Sequence, residues 1–382
     1  MKSPVVSVVI PAYNADTWLA EAIQSVLDQS WQDFELIVVN DGSTDRTTEV
    51  VRGFKNRRIS CISQENRGLS SARNTGIRGA RGEFIALLDA DDKFKPEKLT
   101  RQLAKFDADP EIGIVTCGYD LIDDRGKWLQ REMPWLSAPL IDLKTLLFWN
   151  PLLPSTLLIR THWFKTAGLF DGSLRRYEDW ELPVRFAIAG CRMGWVHEVL
   201  VDYRRHETNM STAGDLVPVA TNDALEFITR FFREGELDEE IQALESKVLA
   251  NLYLDGAARA YGAALGTHGS EWLEQAVRRN PELTCGDPPG WVVAICGHAL
   301  GPLINRPEDF IRCASANLPV RSEFEGWTFR RLMGHFRASQ AFRLLQAGEN
   351  TQARLSAVRA MLRDFRLLSN RGMLSIALRS HS

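Results

Sequence analysis

The chain has 382 residues, 45% of them hydrophobic and 25% charged, the proportions of an ordinary globular protein with room for two domains. Its net charge of −3 hides an asymmetry: residues 330–382 carry ten arginines against two acids, a balance of +8 that leaves −11 for the rest. A membrane-spanning helix is excluded, since the longest apolar stretch, Trp291 to Ile304, is interrupted by Gly297, His298, Gly301 and Pro302 and falls short of ~20 residues.

The start, MKSPVVSVVIP, lacks the long apolar core of a signal peptide. The six cysteines (61, 117, 191, 285, 296 and 313) form no C-x-x-C pair and have apolar neighbours. They read as reduced core thiols of a cytoplasmic protein.

In chain order, Val5 to Ile10 is a short β-branched strand closed by Pro11-Ala12-Tyr13-Asn14. A helix follows over 16–29, with Leu19, Ile23, Val26 and Leu27 on one face. Phe34 to Val39 is a second strand, ending in the turn-rich Asn40-Asp41-Gly42-Ser43-Thr44-Asp45, and a helix through Val50 and Val51 comes next. Ile59 to Ile62 is a third strand, and Ser70 to Arg78 a helix carrying Arg73. Phe84 to Leu88 is a continuous apolar run, as suits a strand buried on both faces of a parallel sheet. It ends abruptly in Asp89-Ala90-Asp91-Asp92. A helix from near Pro96 and a fifth strand, Ile112 to Cys117, complete a run of βαβ units and predict a largely parallel α/β sheet.

After Gly118 the pattern changes. Asp123 to Gly126 reads as a hairpin turn and Leu157 to Ile159 as a strand. Tyr177-Glu178-Asp179-Trp180 opens a helix running to Gly190, and Val199 to Tyr203 is a last strand before Arg204-Arg205-His206, where Arg204 and Arg205 read as solvated. From Leu216 onward only helical periodicity remains, with Pro281 to Pro307 as an irregular connector. These patterns predict an α/β domain over 1–215 and an all-α domain over 216–382.

Three strand ends then carry chemistry at one sheet edge: Tyr13 after the first, Asp41 after the second, Asp89 and Asp91 after the fourth. Open α/β sheets bind ligands outside that carboxyl edge. Crowded carboxylates there call for a cation or many donors, so the sequence proposes a divalent metal and an anion for it to hold. A D-x-D alone is weak in a chain with 49 acids; the joint placement is what carries weight.

The segments IPAYN (10–14), VVNDGSTD (38–45), NRGLSSARNTGI (66–77), FIALLDADD (84–92), YEDWEL (177–182) and YRRHETNMS (203–211), in that order, resemble family 2 inverting glycosyltransferases of the GT-A fold. The resemblance covers about residues 5–211. It implies a Rossmann-like, mainly parallel sheet flanked by helices, and a transfer of sugar from a nucleotide sugar, UDP-linked by preference, to a hydroxyl acceptor such as a glycan or a lipid-linked saccharide. By the same match Pro11, Ala12, Tyr13 and Asp41 would line the nucleobase pocket, Arg73 would approach the base or diphosphate, and Asp89 would bond ribose hydroxyls. Asp91, with His206, would ligate Mg²⁺ or Mn²⁺, for which carboxylate and phosphate oxygens are fitting ligands. Asp179 would be the general base, and Glu178 and Trp180 would lie at the acceptor, with Trp149 a second ring that could stack on a sugar.

Two other classes are weighed against this. A catalytically silent nucleotide-sugar-binding module, its helical half recruiting partners, would bind without turnover. A Rossmann dehydrogenase fails because the first strand leads into PAYN rather than G-x-G-x-x-G. Near the C-terminus, Leu355, Val358, Met361, Leu362, Phe365 and Leu368 share one helix face, with Arg359, Arg363 and Arg366 opposite. That helix could lie on an anionic membrane surface, which would place the protein at the inner face of the plasma membrane. The plainer reading is a helical hairpin capping the domain, with its turn at Gly348. No nucleic-acid partner is expected.

Overall fold

The computed structural model of the chain describes residues 3–174, 176–206, 216–301, 304, 306–346 and 348–378. Two compact units result, Met1–Asn209 and Met210–Ser382. The boundary expected near residue 215 and the 207–211 end of the last motif lie outside the described residues.

The first unit begins β1 (Val6–Ala12), α1 (Leu19–Leu27), β2 (Phe34–Asp41), α2 (Thr47–Gly53), β3 (Ile59–Gln64), α3 (Leu69–Gly79) and β4 (Phe84–Leu87). It continues with β5 (Lys93–Phe94), α4 (Lys98–Ala108), β6 (Ile112–Ile122), β7 (Trp128–Glu132), α5 (Leu143–Phe148), β8 (Leu158–Arg160), α6 (His162–Thr166), α7 (Glu178–Ile188) and β9 (Arg192–Arg204). The strands form one sheet in the order β3-β2-β1-β4-β8-β6-β9-β5, with β7 hydrogen-bonded to β6. The β-branched runs of β1 and β2 are buried throughout, because helices cover both sheet faces.

β1 to β4 pair in parallel, as the βαβ pattern requires, and β6 and β9 do too. Elsewhere the sheet is antiparallel: β8 slots between β4 and β6 against both, β7 folds back on β6 across the turn at Gly126 (φ +81°), and β5 runs against β9. The fold is therefore α/β of GT-A type with a mixed sheet. Parallel register carries Ala12, Asn40 and Ser63 to the same level, and Leu87 to that of Val9, so these strands end at one edge.

The thiols divide rather than all facing inward. Cys117, Cys191 and Cys296 are buried, whereas Cys61 and Cys285 are exposed.

The described part of the second unit is helical: α8 (Val217–Glu234), α9 (Glu239–Gln242), α10 (Glu245–Gly262), α11 (Gly266–Arg279), α12 (Gly290–Ala299), α13 (Pro307–Ala316), α14 (Phe329–Gln346), α15 (Asn350–Arg363) and α16 (Arg371–Leu378). The connector expected over 281–307 contains α12, whose Trp291, Ile295 and Cys296 are fully buried among Tyr261, Phe310 and Phe336. Local Gly and Pro signals were overridden there by burial of apolar bulk. α14 and α15 form the expected hairpin, but with an unexpected face inward. Ala353, Ser356, Ala357, Ala360 and Met361 are buried, while Leu355, Val358, Leu362, Phe365 and Leu368 are exposed. Small side chains on both helices, Ala338 and Ala341 against Ala353, Ala357 and Ala360, let the backbones approach closely.

Candidate active site

At the end of β1, Pro11 and Ala12 are buried strand residues and Tyr13, 53% exposed, is the first to leave the sheet. Two loops are stitched together beyond it. The Asn14 N–H donates to Ser43 Oγ (3.0 Å), and the Thr44 N–H donates to Asn14 Oδ1 (2.9 Å). Asp41, the last residue of β2, is buried and draws the next loop over itself. Its Oδ1 accepts from Gln64 Nε2 (2.7 Å) and the Arg67 N–H (3.0 Å), and its Oδ2 from the Gly68 N–H (2.9 Å). An ionised carboxylate has about four acceptor positions, so one remains for a ligand N–H.

The four residues after Leu88 separate into three roles. Asp92 turns inward, accepting from Ser155 Oγ (2.5 Å) and from the Arg204 N–H (2.9 Å). Burial, and then the charges of Asp91 and Asp89, push its carboxyl well above the ordinary range. Asp89 and Asp91 remain half-exposed at the edge. Asp89 accepts from Arg73 Nη2 at 2.8 Å. Asp91 Oδ2 lies 2.9 Å from His206 Nε2, and the His206 ring stacks on Trp18 with centroids 4.3 Å apart.

Arg73, expected at the base or diphosphate, is only 1% exposed. Its Nη1 donates to Glu178 Oε1 at 2.8 Å while Nη2 holds Asp89. Burial opposes the charge, yet Asp89, Glu178 and Asp179 outweigh it and raise the guanidinium's pKa. The arginine thus joins the strand-end acids to the start of α7 instead of facing a nucleotide. Asp179, the next residue, is half-buried, and its carbonyl accepts from Asn150 Nδ2 at 3.3 Å. Burial and the Glu178 carboxylate push its carboxyl up to about 7, with Arg73 pulling down and Asp89 pushing up. The residue before this pair, Tyr177, has φ +62°, a left-handed conformation that costs a bulky side chain energy and fixes how α7 starts.

The acceptor positions expected at Glu178 and Trp180 are corrected by their burial. Glu178 is 7% exposed and bound to Arg73; Trp180 is 5% exposed, its Nε1–H donating to the Leu146 carbonyl at 2.5 Å. Neither presents a face to a second substrate. Trp149, beside Asn150, is exposed.

Arg204, read from sequence as solvated, is instead 1% exposed. Its Nε donates to the Asp91 carbonyl (2.9 Å), its Nη2 to Glu21 Oε2 (2.8 Å) and its Nη1 to the Asp124 carbonyl (3.2 Å). It clamps β9, α1 and the β6–β7 turn around the acid turn. Trp18, also missed, donates Nε1–H to the Asp124 carbonyl at 3.1 Å and gives His206 its platform.

Two protein donors, Asp91 Oδ2 and His206 Nε2, thus converge, and among the described residues no group of three or more His, Cys, Asp or Glu does. Two donors fit a hard cation that completes its shell from water and phosphate oxygens, and would not fit a cage made by protein alone.

The family model described as glycosyl transferase family 2 matches residues 7–172. The glycosyltransferase GlyG of Streptococcus pneumoniae is 31% identical over 57% of this chain and 78% of its own length. Uncharacterised glycosyltransferases of two Rickettsia species are 37–38% identical, and the chain spans 65% of their length. Among solved structures, TarS residues 1–349 of S. aureus in complex with UDP-GlcNAc aligns with TM-score 0.53 at 19% identity, covering 94% of this chain and 91% of that one. A mannosyltransferase of Pyrobaculum calidifontis in complex with GDP-Man and Mn²⁺ aligns with TM-score 0.51 at 19% identity, covering 78% and 87%.

Proposed function

Because the chain belongs to glycosyl transferase family 2, we propose that it moves a sugar from a nucleotide sugar to a hydroxyl acceptor, inverting the anomeric centre. One observation carries the reading: Asp89, just after β4, and Glu178, at the start of α7 and next to Asp179, meet on the single buried guanidinium of Arg73, 2.8 Å from each. That bridge supports a reading in which a donor site and a base serve one reaction.

Nucleobase contact falls to Tyr13, with Pro11 and Ala12 shaping the wall and Asp41 accepting a base N–H at its remaining position. Asp89, oriented by Arg73, accepts ribose hydroxyls. Asp91 and His206 would hold Mn²⁺ or Mg²⁺, which when bound offsets charge developing on the departing diphosphate. Asp179 takes the proton of the acceptor hydroxyl as that oxygen bonds to the anomeric carbon and the bond to the diphosphate breaks. A carboxyl near 7 is matched to this task at neutral pH. Trp149 offers a ring to a glycan or lipid-linked acceptor. A UDP-sugar is the favoured donor, since the acceptor position left on Asp41 suits the N–H of a pyrimidine such as uracil. The place of action is the cytoplasmic face of a membrane, reached by peripheral contact through the basic C-terminal helices; no described helix is long and apolar enough to cross one.

The test is diphosphate release from UDP-, GDP- and dTDP-sugars with and without Mn²⁺. Turnover is expected, falling about 10²–10⁴-fold in Asp179→Asn with donor binding retained, and Asp91→Ala should also abolish it. Nucleotide binding without turnover in the unaltered chain would mark a silent module, and full activity in both variants would remove these residues from the site.

A further inference from the structure

We propose that the second unit binds the phosphate-bearing headgroup of an anionic lipid in an arginine-lined hollow where α14 meets α15, with the outward stripe of α15 lying in the bilayer surface beside it. The hollow, about 290 Å³, is lined by Arg330, Arg331, Arg363, Arg366, Asp364 and Phe365.

Its charge is unbalanced. Asp364 is buried and is the one acid of the lining, with Arg366 Nε at 3.3 Å, His335 Nε2 at 3.5 Å and Arg331 Nε at 3.8 Å. Asp287 adds a further negative field at Arg331 and His335. Arg363 has no carboxylate partner among the described residues. Four guanidiniums against one lining carboxylate make a site that gains by taking up an anion.

The donors are also held in place. Arg331 lies over the Trp327 ring, its Cζ 3.5 Å from the centroid. Arg330 caps the end of α15, donating to the Arg363 carbonyl (3.0 Å) and the Leu362 carbonyl (3.2 Å), and lies over Phe365. Fixed planar donors lose little freedom on binding a phosphate.

What makes the anion a lipid is the neighbouring surface. Leu355, Val358 and Leu362 recur at steps of three and four on the outer face of α15 and continue into Phe365, which also lines the hollow. Arg354 flanks this stripe on one side, and Arg359 and Arg363 on the other, all exposed. Apolar side chains outward with arginines along both edges is the arrangement of a helix lying in a membrane interface. A soluble phosphate would use the hollow and leave the stripe in water; an anionic bilayer satisfies both. This rests on the membrane contact proposed above and not on the transfer reaction.

The experiment is sedimentation of the full chain with vesicles of phosphatidylcholine alone or with about one third phosphatidylglycerol. Binding to the anionic vesicles only is expected. Arg359→Ala/Arg363→Ala, at two exposed positions, should weaken it roughly 30-fold, at about one tenfold step per 1.4 kcal/mol. Leu362→Ser/Phe365→Ser, at two exposed positions, should weaken it at least as much. Both variants should keep the unaltered chain's melting temperature and its diphosphate release with a soluble acceptor. The proposal is overturned by equal binding to neutral vesicles, or by variants that bind like the unaltered chain. It is equally overturned if inorganic phosphate raises the melting temperature while vesicles are ignored, or if sedimentation velocity shows a dimer that the Leu362/Phe365 variant dissolves. Vesicle binding without any sugar transfer would sustain this proposal and sink the transferase reading alone.

Discussion

Replacing Arg73 by methionine, which keeps much of the side chain's volume and removes its charge, should damage stability and shift the pH dependence in a defined direction. Two charge-assisted hydrogen bonds of 2.8 Å are lost, and Glu178 is left buried beside Asp89 and Asp179 with no cation between them. Removing one partner of a buried ion pair costs about 3–5 kcal/mol. For a unit of this size that is a fall of about 6–20 °C in melting temperature. Arg73 also pulls the Asp179 carboxyl down against burial, Glu178 and Asp89. In its proposed role Asp179 would act as a base only when ionised, so activity should rise with pH through its pKa, giving an acid limb near 7. Without the guanidinium the pKa rises and the limb moves to higher pH, by about one unit or more. Adding Glu178→Gln removes the orphaned charge, so Arg73→Met/Glu178→Gln should be more stable than Arg73→Met alone and its limb should move back toward 7. Thermal melts and a pH profile of diphosphate release read both effects. A single variant as stable as the unaltered chain, or a double variant no better than the single with an unmoved limb, would refute the bridging role.

Trp18→Ala removes the platform under His206 and should raise the half-saturating Mn²⁺ concentration about 10-fold or more, with turnover recovered at high metal; an unchanged metal titration would detach His206 from the cation. Gly76→Ala would place a Cβ 2.3 Å from Val9 Cγ1, wedging α3 off β1, and should cost about 1–3 kcal/mol in denaturant melts. Gly53→Ala, in the last turn of α2 with nothing within 4 Å, should instead gain up to about 1 kcal/mol. Equal effects at the two glycines would contradict the packing described.

The strands and helices that repeat a local period were readable from the chain. β1, β2, β4 and α1 show continuous apolar runs or a helical stripe, and the acids fall where the strand runs stop. The elements that escaped have no local period to show. β5 is two residues long, and the first half of β9, Arg192 to Glu198, mixes polar and apolar residues and is held by its register with β6. Among site residues, Tyr13, Asp41, Asp89 and Asp91 stand at strand ends and were visible as such. Arg204 was not, because the groups that accept its hydrogen bonds, on Glu21, Asp91 and Asp124, are 80 or more residues away in sequence. Arg73 was found but given the wrong neighbours for the same reason, since burial of a charge is decided by distant partners. On α15 most of the apolar face read from the sequence lies outward, because close approach to α14 selected the small side chains for the inside.

The acid turn hangs between two anchorages in the same sheet. β4 is bonded to β1 before it, β5 to β9 immediately after it, and the Asp92 carboxylate fastens its last residue to the main chain of β9. A hairpin bridge pinned at both banks has little slack to surrender when an ion arrives. Uptake there should then be timed by the ion shedding its own water rather than by any rearrangement of polypeptide, so Mn²⁺, which parts with water more readily than Mg²⁺, would load the faster of the two.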